Sequence, residues 1–231
     1  MCPKEKNSNN SRASWDIKTE RPEELCKEPS EYWTNERIQA TLKAKNQARI
    51  QHKLSARTLE HLRVREPRIL DMAPCNHLVL DIGCGLGFSS DILLEEGNTV
   101  VGIDLIQDML ESSLSREHMD FFSKAGLYHL VLASAVHPPF RDQEFSHAIS
   151  ISALQWVRDE KDMQGLASEL SRVINREGYL SFQYYPQSRE AMLEFGNLIK
   201  DAGFEGGFII DDYKNPKKRK VFLIMKKKEI K

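Results

Sequence analysis

The stretch LVLDIGCGLGFSS, residues 78–90, decides the fold class of this chain. Apolar and β-branched residues lead to the acid Asp81, and Gly83, Gly85 and Gly87 follow on alternate positions before an amphipathic segment begins. A strand, a glycine-rich turn and a helix in this order are typical of an open α/β sheet that holds a nucleotide. The motif therefore predicts a nucleotide-type cofactor site on this turn.

The spacing of the glycines indicates which of two cofactor classes, a dinucleotide or S-adenosylmethionine, the turn is suited to bind. A dinucleotide fingerprint reads G-x-G-x-x-G, and counted from Gly83 its third glycine is replaced by Phe88. Asp81 suits an ammonium group better than a pyrophosphate, and Asp104, at the end of NTVVGID, is placed to accept both ribose hydroxyls. These features favour S-adenosylmethionine. The alternative is a turn that needs glycine for its geometry beside two surface acids, and it leaves the pair of acids unexplained.

Short apolar runs alternate with helical patterns over the rest of the chain, and they predict the sheet. The runs cover residues 77–81, 99–104, 128–133, 147–152, 178–184, 207–211 and 220–226. Such alternation is typical of βαβ units and a mainly parallel sheet. The last two runs are joined by DYKNPKKRK, which is too short for a helix, so they predict an antiparallel hairpin. The predicted fold class is α/β, a Rossmann-like seven-stranded sheet whose last strand is antiparallel.

Composition and charge bound the organisation of the chain. Its 231 residues, 40% of them hydrophobic, suffice for one domain over residues 21–231, after an expected disordered tail over residues 1–20. That domain is expected to consist of a basic helical cap (21–70, with helical spacing between 29 and 64) and an α/β core (77–231). The net charge of -1 argues against a general polyanion binder, and four dispersed cysteines argue against a zinc site or a disulfide framework. No apolar run is long enough to span a membrane, so a soluble intracellular protein without a metal site is predicted.

A second candidate segment is FSHAISISALQWV, residues 145–157. Its apolar strand ends in Ser150 and Ser152, at the carboxyl edge where open sheets bind their ligands. These serines offer backbone or hydroxyl contacts to a ligand. Trp156 is a candidate for stacking on a base, and packing of its indole in the core is the alternative interpretation. YYP, residues 184–186, ends the next run at the same edge, so either tyrosine is expected to close over a planar substrate.

Four segments carry a resemblance to a known family: LDIGCG, SISALQW, QYYP and AGFEGGFIIDDYKNPKKRKVFL. Together they resemble the eukaryotic small-subunit (18S) ribosomal RNA guanine-N7 methyltransferases, from about Arg21 to Met225. The resemblance implies a class I S-adenosylmethionine-dependent methyltransferase that works with a small zinc-binding activator subunit. LDIGCG is shared by many methyltransferases, whereas the SISALQW strand and the AGFEGGFIIDD hairpin narrow the choice of family far more.

The motifs and the resemblance together give the predicted site. The cofactor-binding residues are Asp81, Gly83, Cys84, Gly85, Gly87, Asp104, Leu105, Ser134, Ala135 and Ser150. The substrate residues are Trp33, Ser152, Gln155, Trp156, Tyr184 and Tyr185. Guanine N7 has an available lone pair and no proton to lose, so methyl transfer requires alignment rather than a general base. No catalytic acid or base is therefore predicted.

Two departures from the family pattern leave other functions open. Ser134 stands where the family usually places an acid for the adenine amino group, and Ser146 replaces the acid usual before the fourth strand. One alternative is a methyltransferase of the same fold that acts on a small molecule, which a strong dependence of activity on RNA would exclude. Another is a pre-ribosome assembly factor whose catalysis is secondary, which predicts normal subunit production when Asp81 is replaced.

The class I methyltransferase fold that the resemblance implies has its third strand at an edge of the sheet, and here that strand is LYHLVLAS, residues 127–134. Edge strands normally carry charge or proline that blocks pairing with other chains, and this run carries neither. The family resemblance implies that the activator subunit docks here, by strand addition. The alternative is that HMDFFSKAG, just upstream, shields the edge. The predicted interface residues are Leu127, Leu130, Val131 and Leu132.

PKKRK, residues 216–220, is a basic cluster with three interpretations. It resembles a nuclear import signal, its cations are suited to phosphate contacts, and it also reads as a solvated hairpin turn. With the family resemblance, it predicts a protein of the nucleus, nucleolus and cytoplasm. The expected partners are the activator, which makes a heterodimer, and the small-subunit rRNA of pre-ribosomes, with no membrane contact.

Overall fold

A computed structural model describes residues 21–65, 77–215 and 217–228, so the expected tail over residues 1–20 lies outside the described part. Within these ranges the strands form a seven-stranded sheet of order β3-β2-β1-β4-β5-β7-β6. β7 is antiparallel to both of its neighbours and the other pairs are parallel, which confirms the predicted topology. The strands are β1 (Leu78–Ile82), β2 (Thr99–Asp104), β3 (Tyr128–Leu132), β4 (Phe145–Ile151), β5 (Ile174–Tyr184), β6 (Phe204–Asp211) and β7 (Lys220–Lys227).

The helical pattern predicted over residues 29–64 is confirmed by three consecutive helices, α2 to α4. Two later helices begin at polar caps, where Asp159 accepts from the amide of Lys161 and Ser188 from that of Ala191. None of the described helices combines the length and the apolar character needed to cross a bilayer. The α-helices of the described ranges are α1 (Pro22–Leu25), α2 (Pro29–Tyr32), α3 (Asn35–Lys43), α4 (Lys45–Arg65), α5 (Phe88–Glu95), α6 (Gln107–Leu114), α7 (Glu117–Lys124), α8 (Glu160–Val173) and α9 (Arg189–Asp201).

Only β2 has the bounds of its apolar run, and the other six strands differ from theirs by one to four residues. Three of these differences have a clear local reason. β5 begins at Ile174 rather than 178, because α8 passes into it without an intervening turn. β4 ends at Ile151 because Ser152 has a φ of 56°, which turns the chain out of the extended conformation. β6 begins at Phe204 rather than 207, because its two glycines interrupt the apolar run without interrupting the pairing with β7.

Alternate residues of the central strands pack on opposite faces of the sheet. Leu80 and Ile82 of β1 join a core that contains Leu166 of α8. Val79, the residue before Leu80, joins a second core that contains Leu54 of α4. This is the period of two expected of a strand covered on both faces. The sheet is therefore buried between two helical layers, and its carboxyl edge is left for ligands.

The N-terminal helices are fastened at two distant points. Ile38 of α3 is fully buried against Leu86 and Met109, so this helix packs on the glycine turn and its surroundings. Arg57 of α4 donates from Nε to Oδ2 of Asp211, at the end of β6, over 2.7 Å. The cap thus reaches from the turn after β1 to the turn that joins β6 and β7.

Candidate active site

The glycine turn leaves β1 at the carboxyl edge of the sheet. Gly83, Gly85 and Gly87 have φ angles of 67°, 51° and 76°, in the left-handed region that favours glycine. A Cβ on Gly83 would lie 2.3 Å from the Cβ of Ala153, so no side chain fits there. The amide of Gly83 donates to the carbonyl oxygen of Ile103 over 2.9 Å, which ties the turn to β2.

A cavity of about 220 Å³, here named the main cavity, opens between this turn and the N-terminal helices. We call the wall formed by the ends of β1 and β2 the strand side, and the wall contributed by residues 29–51 the helix side. Of the predicted cofactor-binding residues, those that line the cavity are Gly83, Cys84, Gly85, Asp104, Leu105 and Ala135. The helix side consists of Pro29, Trp33, Thr41, Gln47 and Gln51.

Asp104 is fixed on the strand side by the backbone. Its Oδ2 accepts from the amide of Gly85 over 2.9 Å, and its Oδ1 accepts from the amide of Ile106 over 3.0 Å. Burial raises the pKa of this carboxyl, and the hydrogen bonds from the backbone act in the opposite direction. Each carboxylate oxygen has further lone pairs, so the group retains acceptor capacity toward the main cavity.

Asp81 lies behind the turn and is fully buried. Its Oδ2 accepts from the hydroxyls of Ser89 and Ser90, each over 2.6 Å, while its Oδ1 has no partner within the described residues. Burial raises the pKa of this carboxyl to about 6, and the two hydroxyls act in the opposite direction. A buried acceptor without a partner is rare in folded proteins and marks a place where a donor is missing.

The aromatic rings at the opening of the main cavity form a connected group. Trp33 and Trp156 both line the cavity, and Tyr32 contacts each of them, with ring centroids 5.1 Å and 6.2 Å away. The guanidinium of Arg37 lies 4.1 Å from the centroid of the Tyr32 ring, and its Nη1 donates to the Tyr32 carbonyl oxygen. The two predicted tryptophans are therefore brought together at one opening.

Ser152 occupies the position where β4 gives way to the Leu154–Trp156 3₁₀ turn. Its backbone has a φ of 56°, and its amide donates to the carbonyl oxygen of Gln183 over 2.8 Å. Its hydroxyl donates to Oε1 of Gln183 over 2.8 Å, and its own carbonyl oxygen accepts from Nε2 of Gln155. Strained backbone held by surrounding hydrogen bonds is common at functional sites.

The two tyrosines of YYP and Gln155 line a separate cavity of about 70 Å³, on the other side of the 3₁₀ turn. Tyr184 is 5% exposed and packs against Phe195 of α9, and its hydroxyl has no partner within the described residues. Tyr185 contacts Lys220, whose Nζ lies 5.2 Å from the ring centroid. Contrary to the sequence-based expectation, the structure places neither tyrosine over the main cavity.

Two serines predicted to bind the cofactor do not line the main cavity, although Ser134 stands between Ala133 and Ala135, which do. Ser150 is fully buried, and its hydroxyl donates to the carbonyl oxygen of Ile82 over 2.8 Å, which links β4 to β1. The hydroxyl of Ser134 accepts from the amide of Val136 within its own loop. Their hydroxyls are therefore engaged in local structure.

The polar residues of the helix side were not predicted from the sequence. Gln47 and Gln51 stand one turn apart on α4, so both point toward the same wall of the main cavity. Thr41 joins them from α3. The available signal was an amide pair at helical spacing on the stripe that continues into Leu54, which is where a buried helix face normally carries apolar side chains.

β3 lies at one end of the sheet and pairs only with β2 among the described strands. The strand is shorter than predicted: it begins at Tyr128, and Leu127 precedes it while still accepting a hydrogen bond from Val100. Helix α7, which contains the HMDFF segment, packs next to the strand. Leu132 nevertheless remains 55% exposed and Phe121 64% exposed, so apolar side chains stay accessible at this edge.

Comparison with known proteins gives consistent matches. A family model described as a methyltransferase domain matches residues 80–182. The 18S rRNA (guanine-N(7))-methyltransferase of Bos taurus is 32% identical over 209 residues, which cover 87% of this chain and 69% of that protein. The 18S rRNA (guanine(1575)-N(7))-methyltransferase of Saccharomyces cerevisiae is 33% identical over 201 residues, which cover 83% and 67% respectively.

Solved structures resemble the chain in fold. The magnesium protoporphyrin IX methyltransferase of Synechocystis PCC 6803, whose structure contains bound SAM, superimposes with a TM-score of 0.58. The match covers 82% of this chain and 83% of that one, at 16% sequence identity. An identity this low establishes a shared fold, and substrate assignment depends on the site itself.

Proposed function

The chain belongs to the 18S rRNA (guanine-N7)-methyltransferase family, and on that premise we propose that it methylates N7 of a guanine in small-subunit rRNA during ribosome biogenesis. The methyl donor is S-adenosylmethionine. One observation supports the proposal most strongly: Asp81 and Asp104 stand near the ends of the adjacent strands β1 and β2, beside the same glycine turn. This pair lies in a chain that resembles such enzymes over more than four fifths of its length.

The residues around the glycine turn fit S-adenosylmethionine. Oδ1 of Asp81, a buried acceptor without a protein partner, suits an ammonium group. Gly83 and Gly85 carry no side chain, so the backbone is free to approach the amino-acid end of the cofactor. Asp104, held by two amides at the main cavity, suits the two ribose hydroxyls.

The chemistry requires little beyond alignment. S-adenosylmethionine supplies a methyl group on a sulfonium, and guanine N7 offers a lone pair without a proton to remove. Burial raises the pKa of the Cys84 thiol at the main cavity, so this group stays protonated at neutral pH. Holding both reactants in one geometry is then the main contribution of the protein.

The substrate guanine is proposed to enter between Trp33 and Trp156, flipped out of its strand. Stacking of a base on an aromatic side chain contributes about 1–3 kcal/mol and leaves the base edges free for recognition. Ser152, at the main cavity, and Gln155, behind it, are proposed to support Trp156 from the end of β4. A bound base is thereby presented to the cofactor-binding turn.

The experiment that tests this function is methyl transfer from labelled S-adenosylmethionine to transcribed small-subunit rRNA, followed by mapping of the modified base. We expect N7-methylguanosine at one position, and loss of product in Asp81→Ala. Transfer to small molecules without RNA would indicate the alternative of a small-molecule enzyme. Normal subunit production in cells that carry only Asp81→Ala would indicate an assembly factor with secondary catalysis.

A small zinc-binding activator subunit is the proposed partner, and the β3 edge is its proposed docking site. The family premise supports the partner. The exposed Leu132 and Phe121 support the location, since β3 pairs with β2 alone among the described strands and has an open outer edge. Replacing Leu130 with Lys and Val131 with Pro should abolish co-purification with the activator, because both changes oppose strand pairing. The control is Leu193→Lys on α9, an exposed leucine on another part of the surface. A well-behaved monomer that methylates its RNA without help would contradict the proposal.

The proposed location is the nucleus, the nucleolus and the cytoplasm, because an enzyme of ribosome biogenesis acts on pre-ribosomes. Lys217 and Lys218 of the basic cluster are exposed, whereas Arg219 is 7% exposed and donates to the carbonyl oxygen of Tyr213. Replacing both exposed lysines with Ser should shift a fluorescent fusion from nucleus to cytoplasm. Unchanged nuclear fluorescence would remove the import role from this cluster.

A further inference from the structure

The N-terminal helices carry an unusual concentration of positive charge. Residues 37–59 contain six Lys or Arg residues and no Asp or Glu, although the whole chain has a net charge of -1. Lys43, Arg49 and Lys53 are exposed, and none of them forms an ion pair with a described residue. A surface of this kind attracts a polyanion rather than stabilising the fold.

A second exposed group of cations lies on the turn that joins β6 to β7. Lys214, Lys217 and Lys218 are exposed there and likewise form no ion pair with a described residue. β6 is parallel to β5, because β7 is antiparallel to both. The end of β6 therefore meets the same carboxyl edge of the sheet as the glycine turn and the main cavity.

An ion pair holds the two cationic groups together. Arg57 of α4 donates to both carboxylate oxygens of Asp211, over 2.7 Å and 3.2 Å, and Asp211 is the last residue of β6. Arg57 also pairs with Glu60. These contacts neutralise two of the nearby acids, and Asp212 is the exposed acid that remains in the turn. Lys53 stands one helical turn before Arg57, on the same side of α4.

We propose that the outer face of α3 and α4 and the β6–β7 turn form one surface that binds the phosphates of the RNA strand flanking the methylated guanine. The inference rests on the proposed function, because it places RNA at the main cavity. Gln47 and Gln51 of α4 face that cavity, whereas Arg49 and Lys53 lie on the opposite face of the same helix. The cations are about 10 Å, one helix diameter, from the cavity wall, so they contact flanking phosphates and not the target base.

The test is the salt dependence of binding to transcribed small-subunit rRNA by the full chain. One variant replaces Lys43, Arg49 and Lys53 with Gln, a second replaces Lys214, Lys217 and Lys218 with Gln, and a third combines them. Each neutralised phosphate contact contributes about 0.7–0.9 to the slope of log K against log salt. Each triple variant should therefore lower the slope by about 2 to 3, and the combined variant by about twice that amount.

The matched control neutralises three cations at the opposite edge of the sheet: Arg141, Arg176 and Lys200 are exposed and lie near the amino ends of β4, β5 and β6. Its slope should change by less than one. S-adenosylmethionine affinity should stay unchanged in all variants, which shows that they are folded.

The two proposals fail in different ways. A wild-type chain that makes no N7-methylguanosine in RNA contradicts the proposed function, whatever the binding slopes. A wild-type chain that methylates RNA, with slopes unaltered in the triple variants, overturns the phosphate-binding surface. If the triple variants keep their RNA slope and instead lose binding to polyglutamate, the surface serves an acidic protein, and the inference is also overturned.

Discussion

On the strand side of the main cavity, positions are set by hydrogen bonds to buried backbone and hydroxyl groups. The amide of Gly83 binds the carbonyl of Ile103, and two amides hold Asp104. On the helix side, Trp33 is held by ring contacts and by the packing of short helices. Hydrogen bonds fix atoms in distance and direction, whereas apolar ring contacts tolerate a range of arrangements.

The proposed function assigns a different ligand to each side. A methyl donor of constant shape requires the same donors and acceptors in the same places at each turnover, and we propose that the strand side binds it. A base within a large RNA arrives with variable surroundings, and we propose that the helix side, a wall of rings and amides, binds this base. The predictions below test this division.

Replacing Gly83 with Ala should damage the strand side most. The new Cβ would lie 2.3 Å from that of Ala153, and the residue would keep a positive φ. Steric overlap and backbone strain together should lower the free energy of unfolding by about 3 kcal/mol. Denaturant unfolding of the purified chain measures this change.

Gly97→Ala is the matched control, because Gly97 has a φ of 84° and nothing within 4 Å of the position of a new Cβ. Backbone strain alone should lower its unfolding free energy by about 1 kcal/mol. Equal losses in the two variants would show that the close approach of the glycine turn to the residues after β4 is unimportant.

Asp104→Ala should weaken S-adenosylmethionine binding by about 1.5–3 kcal/mol, the range of charge-assisted hydrogen bonds. That corresponds to roughly 10- to 150-fold in Kd, measured by calorimetry. The control is Asp108→Ala, which removes an exposed carboxylate from the first turn of α6. Unchanged affinity in the Asp104 variant would remove this residue from the cofactor site.

Trp33→Ala should weaken the binding of RNA, the methyl acceptor. Loss of base stacking is expected to raise KM for RNA about tenfold, within the range of 1–3 kcal/mol per stacked base. Cofactor affinity should change less than twofold, and Trp33→Phe should restore most of the RNA affinity. If the cofactor affinity falls as much as the RNA affinity, the division between the two sides of the main cavity is wrong.

The smallest expected effect is the pH dependence of cofactor binding. Burial raises the pKa of Asp81 to about 6, so its carboxylate is charged above that pH and neutral below it. An ammonium ligand requires the charged form, and Kd should rise about fourfold between pH 7.5 and pH 5.5. Asp81→Asn should remove most of this dependence, leaving the contribution of Asp104, whose pKa burial also raises. An equally steep dependence in the variant would assign it to another group.

The sequence was sufficient for the features that depend on local pattern. The succession of strands and helices along the chain and the place of Asp104 at the end of β2 follow from apolar periodicity and glycine spacing, each within a short segment. The glycine turn was predictable for the same reason, because its positive φ angles limit the residue types it accepts. The edge position of β3 was expected instead from the family resemblance, because the order of strands in a sheet depends on distant segments.

The positions of the side chains around the main cavity were harder to predict. Knowing that a strand ends at a residue does not show on which face of the sheet that residue's side chain lies. Tyr184 and Tyr185 are neighbours, and the register of β5 sends Tyr184 into the core against Phe195. Ser150 precedes the end of β4 by one residue, enough to turn its hydroxyl toward β1. The place of Gln47 at the main cavity was not predictable from the sequence, because it depends on how α4 packs on the sheet through contacts between distant segments.

The position of β7 governs the order in which the chain can fold as it is synthesised. β7 follows β6 in sequence but lies between β5 and β6 in the sheet. When β6 emerges from the ribosome, its sole partner among the described strands has not yet been made, and β5 still has an open edge. Completion of the sheet therefore waits for translation of residues 220–227, and until then two strands expose unpaired backbone to other nascent chains.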